Sequence, residues 1–211
     1  MSFYTSVRKL LGGLFRKLYR IELEGAENLP VDGGLLLCAN HTANTDVLVL
    51  AAALPRPINY MAKAELFKIP GLKQLIRAFG AFPVRRGTTD TKAIKQAVSL
   101  IEGGEVVGMF PQGKRYKKQD FRKTEVKNGA GMIAYRAKCT VLPVFIATKN
   151  NQVHIFRKTK IIIGKPIPFE ALPYENGTMR EYEAASQCVF EGIAALSDGA
   201  DLNTNKGMKT T

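Results

Sequence analysis

Residues 34–53 read apolar, polar, apolar. Gly34-Leu35-Leu36-Leu37-Cys38-Ala39 is an unbroken apolar run, which predicts a buried strand. Val47-Leu48-Val49-Leu50-Ala51-Ala52-Ala53 predicts the first turns of a helix, and Asn40-His41-Thr42-Ala43-Asn44-Thr45-Asp46 is the polar turn between them. Asn44 or Thr45 suits the N-cap, which places Asp46 in the first turn, where negative charge is favoured.

The same alternation runs down the chain. Strands are predicted over residues 21–24, 58–62, 105–110, 141–147, 152–156 and 160–163, with a short extended segment in 80–87. Pro143 marks its position as an edge or a bulge, and Asn150-Asn151 as a hairpin turn. Helices are predicted over 72–79, after the Asp90 cap, over 130–138, and after the capping box Thr178-Met179-Arg180-Glu181. Alternating strands and helices predict one α/β domain with functional groups at strand ends.

The domain is expected to span residues 21–199. An amphipathic helix over 1–20 precedes it and a disordered tail over 200–211 follows it. The leading helix sets Phe3, Val7, Leu10, Leu11, Leu14, Phe15 and Leu18 at helical spacing against Arg8, Lys9, Arg16, Lys17 and Arg20. Such a helix suits an anionic bilayer surface, or it packs on its own domain with solvated cations.

Charge sharpens this picture. The 211 residues carry a formal net charge of +13, which implies an anionic partner. Nucleic acid is not expected, because the aromatics are not interleaved with the basic residues as a stacking platform requires. Cys38, Cys139 and Cys188 are odd in number and widely spaced, which predicts buried thiols in a reducing compartment and no metal site. No apolar stretch reaches the roughly 18 residues of a membrane span. A cytoplasmic protein, peripheral to a membrane, is expected.

Two polar loops carry candidate chemistry. His41 and Asp46 lie too far apart in sequence to share a helix face. A strand end followed by a tight turn can still join them. Asp46 could then fix the His41 tautomer, or the turn is a helix cap with an incidental histidine. Pro111-Gln112-Gly113-Lys114-Arg115 follows the strand 105–110 and suits an anion. His154, in an alternating segment, reads as structural.

Asn40-His41 with Asp46, Gly80 to Arg86, Phe110-Pro111-Gln112-Gly113-Lys114-Arg115 and Val141-Leu142-Pro143-Val144 occur in that order. Together they resemble the four motifs of the PlsC-type glycerolipid acyltransferases, the 1-acylglycerol-3-phosphate acyltransferase family. The resemblance covers roughly residues 20–170. It implies a mixed, mostly parallel sheet flanked by helices. It also implies acyl transfer from a thioester, acyl-CoA or acyl carrier protein, to the hydroxyl of lysophosphatidic acid, giving phosphatidic acid.

By the resemblance, His41 is the general base and Asp46 its orienting partner. Arg86, Lys114 and Arg115 would hold the acceptor phosphate, with Gln112 and Gly113 in the same substrate loop. Pro143 and Val144 would shape the acyl-donor site. No cofactor or metal is implied. Gln112, Lys114 and Tyr116 stand where the family usually has Glu, Thr and Ser. That difference leaves open a different lysolipid or alcohol acceptor, and a non-catalytic lipid-binding protein at a membrane surface is the remaining alternative.

Overall fold

A computed structural model of the chain describes residues 12–85, 90–116, 120–149 and 153–200. Seven strands form one sheet: β1 (Ile21–Glu24), β2 (Leu35–Ala39), β3 (Ile58–Lys63), β4 (Phe82–Val84), β5 (Val106–Met109), β6 (Thr140–Thr148) and β7 (Thr159–Ile163). Their spatial order is β1-β7-β6-β2-β5-β3-β4. All neighbours pair parallel except β6 and β7. The helices are α1 (Asp46–Ala53), α2 (Leu72–Ala78), α3 (Thr91–Glu102), α4 (Gly129–Ala137) and α5 (Met179–Asp198).

β2 is buried along its whole length and lies at the centre, between β6 and β5. Its side chains alternate between two cores. Leu36 and Cys38 face α3, α4 and α5, while Leu35, Leu37 and Ala39 face α1. A strand covered on both faces needs no polar alternation, which is why it reads as one apolar run. The contact of α4 with α5 demands Gly131, since a Cβ there would lie 2.2 Å from the Tyr182 carbonyl oxygen. Ser186 Oγ accepts the Gly131 N–H at 2.8 Å.

Several expectations change. β6 is an interior strand, so Pro143 marks no edge. It does lie at a bulge: between the Val144–Ile163 and Val141–Ile167 pairs the partner has one residue more than β6. Val141 exchanges hydrogen bonds with Ile167, and Gly164 donates to the Pro143 carbonyl. The Pro143 nitrogen, which cannot donate, faces this interrupted stretch between the Ile167 bridge and the β7 ladder. The strand expected over 152–156 is absent among the described residues 153–156. Of these only Val153 is buried, Phe156 has φ +66°, and the alternation there only imitates a strand. Asn150-Asn151 lies outside the described residues, as do residues 1–11 and 201–211.

Residues 12–18 are helical and lean on the domain through Phe15 and Leu18. Arg16 donates to the Ala52 and Ala53 carbonyls, both at 2.7 Å, satisfying the open C-terminal end of α1. Arg56 likewise gathers the carbonyls of Pro30, Asp32, Gly33 and Gly104 at the amino edge of β2. Part of the positive charge is thus structural. Among the described residues, no helix is long and apolar enough to cross a membrane.

Candidate active site

β2, β5, β3 and β4 run parallel, so their carboxyl ends share one edge of the sheet. His41 follows β2 there and Phe110 follows β5. The His41 ring stacks on Phe110, with centroids 3.9 Å apart and planes 11° from parallel. The ring is therefore held on a flat apolar support at the head of the central strands.

The turn after β2 folds His41 onto Asp46. His41 Nδ1 lies 2.8 Å from Asp46 Oδ2. The same oxygen accepts the backbone N–H groups of Thr42 at 2.7 Å and Ala43 at 2.9 Å, and Oδ1 accepts the Thr42 hydroxyl at 3.3 Å. Asp46 is fully buried. A carboxylate engaged by donors only accepts, so Nδ1 carries the hydrogen and Nε2 can take a proton. Asp46 does sit in the first turn of α1, but Thr45 makes no side-chain cap. The carboxylate ties down the turn before the helix instead.

Two amide side chains lock this turn to its neighbours. Asn40 brackets Ile146 on β6, donating to its carbonyl at 3.1 Å and accepting its N–H at 2.7 Å. Gln112 is fully buried; its Oε1 accepts the His41 N–H at 2.8 Å and its Nε2 donates to Thr124 Oγ1 at 2.6 Å. Tyr116 N–H donates to the His41 carbonyl at 3.1 Å. Both backbone polar groups of His41 are thus held by the loop after β5. Gln112 works here as a strut beneath His41, since both ends of its amide are engaged.

Beside His41 opens a cavity of about 620 Å³. Its apolar wall includes Met61, Val84, Ile94, Met109, Met132 and Ile133, and its cationic groups are Arg85, Lys114 and Lys127. Gly113 lines it in a left-handed conformation, φ +66°, which a glycine adopts without strain. Asp90 and Glu125 supply the acidic groups; Lys127 pairs with Glu125, and Arg85 Nε lies 4.0 Å from Asp90 Oδ2. The Arg85 N–H, then that of Ala93, hold the Asp90 carboxyl below its ordinary value. Lys114 Nζ stands 5.2 Å from the centre of the Tyr116 ring.

The expected site residues divide into three groups. His41, Asp46, Gln112, Gly113 and Lys114 come together at the cavity or directly behind it. Arg115 is exposed and does not line the cavity, while Pro143 and Val144 are buried within β6, away from its lining. Arg86 lies outside the described residues, although Arg85 beside it reaches the cavity. Phe110 opens the third motif but was given no role by sequence; Thr124 and Lys127 are brought in only by the fold.

Cys38 stands apart from the cavity. It is fully buried on the opposite side of β2 from α1, and burial pushes its thiol well above the ordinary range. Among the described residues no cluster of His, Cys, Asp and Glu could hold a metal ion.

Known proteins share this arrangement of chain. A 1-acyl-sn-glycerol-3-phosphate acyltransferase of Bacillus subtilis is 32% identical over 177 residues, which cover 81% of this chain and 87% of that one. Another, from Streptococcus pneumoniae, is 32% identical over 146 residues, covering 67% of this chain but about half, 53%, of its own length. The structure of the 1-acyl-sn-glycerophosphate acyltransferase PlsC from Thermotoga maritima aligns at a TM-score of 0.61. Its 24% identity, over 89% of this chain and 81% of that chain, speaks for the fold. The family model described as Acyltransferase matches residues 20–147, from the start of β1 almost to the end of β6, and takes in His41, Asp46 and the Gln112 loop. This chain therefore belongs to the acyltransferase family, of the PlsC type.

Proposed function

We propose that the protein transfers an acyl chain from an acyl thioester to the free hydroxyl of lysophosphatidic acid, giving phosphatidic acid. The observation that carries this reading is one base between two unlike surfaces. His41, backed by the buried carboxylate of Asp46, stands at a cavity with an apolar wall and cationic groups. A lysophosphatidic acid offers a phosphate, a hydroxyl and an acyl chain in that same combination. The names of the Bacillus subtilis and Streptococcus pneumoniae relatives support this substrate.

In the proposed mechanism His41 Nε2 removes the proton from the acceptor hydroxyl as its oxygen attacks the thioester carbonyl carbon. Asp46 stabilises the imidazolium that forms. The tetrahedral intermediate then collapses, the carbon–sulfur bond breaks, and the thiolate takes the proton back from His41. Ester and free thiol leave, and no acyl-enzyme is needed. Lys114, with the Arg86 implied by family resemblance, would hold the phosphate through charge-assisted hydrogen bonds. Positioning of this kind lowers a barrier by several kcal/mol in well-oriented systems.

The donor is acyl-CoA or acyl carrier protein, and the protein works at the cytoplasmic face of a membrane, where its acceptor resides. The engagement of Gln112 by His41 and Thr124 supports a structural role for this departure from the family's usual Glu. Turnover of purified protein with lysophosphatidic acid and each labelled donor tests the reading, with His41→Ala as control. Phosphatidic acid formed by the wild type and lost in the variant is the expected result. Folded wild-type protein that makes no product from either donor would overturn it.

A further inference from the structure

After β3 the chain leaves the sheet at the same edge as His41 over residues 64–71, and α2 then carries it back to the amino end of β4, which is parallel to β3. This excursion is apolar yet has no core. Leu66, Phe67, Ile69, Leu72, Leu75 and Ile76 lie on it, and among the described side chains of residues 64–79 none is buried. Leu66 is 37% exposed, Ile69 48% and Leu75 53%. Lys63, Lys68, Lys73 and Arg77 surround them, and the single acid, Glu65, pairs with Lys63 at 3.6 Å.

A second apolar projection rises at the other side of the site. β6 runs parallel to β2, so the connection after Thr148 also emerges at the His41 edge. It carries Ile155 and Phe156, 51% and 72% exposed. Phe156 is in the left-handed region, costly for a bulky residue, and its N–H donates to the Leu18 carbonyl at 2.6 Å. A large apolar ring is thus held out towards solvent.

We propose that the carboxyl edge of the sheet is a two-footed contact with an anionic lipid bilayer. The segment 64–71 forms one foot and the Ile155–Phe156 turn the other, with the cavity mouth between them. Apolar side chains that lack a core gain burial among acyl chains, and the flanking Lys63 and Lys68 meet anionic headgroups. Met61 of β3 and Val84 and Arg85 at the end of β4 line the cavity. The first foot is therefore continuous with the cavity wall, and a lipid can pass between bilayer and site without crossing water. The inference takes from the proposed function only that the acceptor is a membrane lipid.

The chain contains no tryptophan, so single reporters are unambiguous. Ile69→Trp and Phe156→Trp each mark one foot. Val31→Trp is the control, because Val31 is 92% exposed and precedes β2, at the opposite edge. Full-length variants are mixed with phosphatidylglycerol vesicles containing brominated acyl chains. Both foot reporters should lose at least about half their emission while the control is unchanged. The combined variant Leu66→Ser and Ile69→Ser should lower vesicle partitioning at least about tenfold with near-ultraviolet circular dichroism unaltered.

Vesicle-bound protein with both foot reporters unquenched would overturn the proposal, as would failure to bind anionic vesicles. Reporters that respond to an acidic acyl carrier protein but not to vesicles would also overturn it, making the edge a protein-docking face. Binding is read without turnover, so this test and the acyl-transfer assay fail independently.

Discussion

Asp46→Asn separates the charge of the dyad from its geometry. In the native turn Oδ2 accepts three donors and Oδ1 one. An asparagine can place its carbonyl oxygen at Oδ2 and its amide group at Oδ1, where the Thr42 hydroxyl can turn to accept. The His41 tautomer and the turn are then retained, and only the negative charge is lost. With charge centres about 4 Å apart and an effective dielectric constant of about 20, imidazolium and carboxylate attract by about 4 kcal/mol. A neutral hydrogen bond retains about 1 kcal/mol of that. The remaining deficit of about 3 kcal/mol corresponds to a fall of about 100-fold in the chemical step. Single-turnover release of thiol from the acyl donor, followed with a thiol-reactive chromophore, measures that step free of product release. A variant within threefold of wild type would refute the argument that Asp46 stabilises a developing imidazolium. Asp46→Ala should behave differently, because it strands buried donors at about 1–3 kcal/mol each and should lower the melting temperature sharply.

Three further outcomes follow from the same structure. Gln112→Glu keeps an acceptor for the His41 N–H and should leave acceptor preference unchanged in a lysolipid panel. Gln112→Leu strands that N–H and should cost about 1–3 kcal/mol of stability by denaturant titration, with activity falling alongside. Asp90 caps α3 through Ala93 N–H, and its folded carboxyl titrates below its unfolded value. Its contribution is therefore present above the unfolded value and lost as pH falls through the folded one. Asp90→Ala should cost about 1 kcal/mol near neutrality and nothing in strong acid, read as melting temperature against pH. Burial pushes the Cys139 thiol up to about 11 and raises that of Cys38 further. Brief iodoacetamide treatment at pH 8 should spare both by mass spectrometry, and Cys38→Ala should retain acyl transfer within a few-fold.

Most elements were legible because their signals are local. The uninterrupted run of β2, the Asp90 cap and the Thr178–Glu181 capping box are decided within a few residues of each other. Residues 152–156 mislead because period-two alternation carries no information about whether a partner strand is present. Pro143 marks the bulge beside it but not the place of β6 inside the sheet, which distant strands decide. A proline excludes one hydrogen bond on one side of a strand, and the neighbouring chain here bulges at that point.

The site divides along the same line. Sequence alone determined that His41 and Asp46 flank a turn between a strand and a helix, and that a basic, glycine-containing loop follows another strand. Both are consequences of neighbouring residues and their spacing. Tertiary structure alone decided that Gln112 supports His41 from the cavity wall, that Lys127 and Arg85 reach the cavity, and that Arg115 and Pro143 do not line it. The order of strands in the sheet brings residues 41, 85, 112 and 127 to one edge. That order is set by which apolar faces bury one another across the whole chain, a long-range sum that no short stretch of sequence contains.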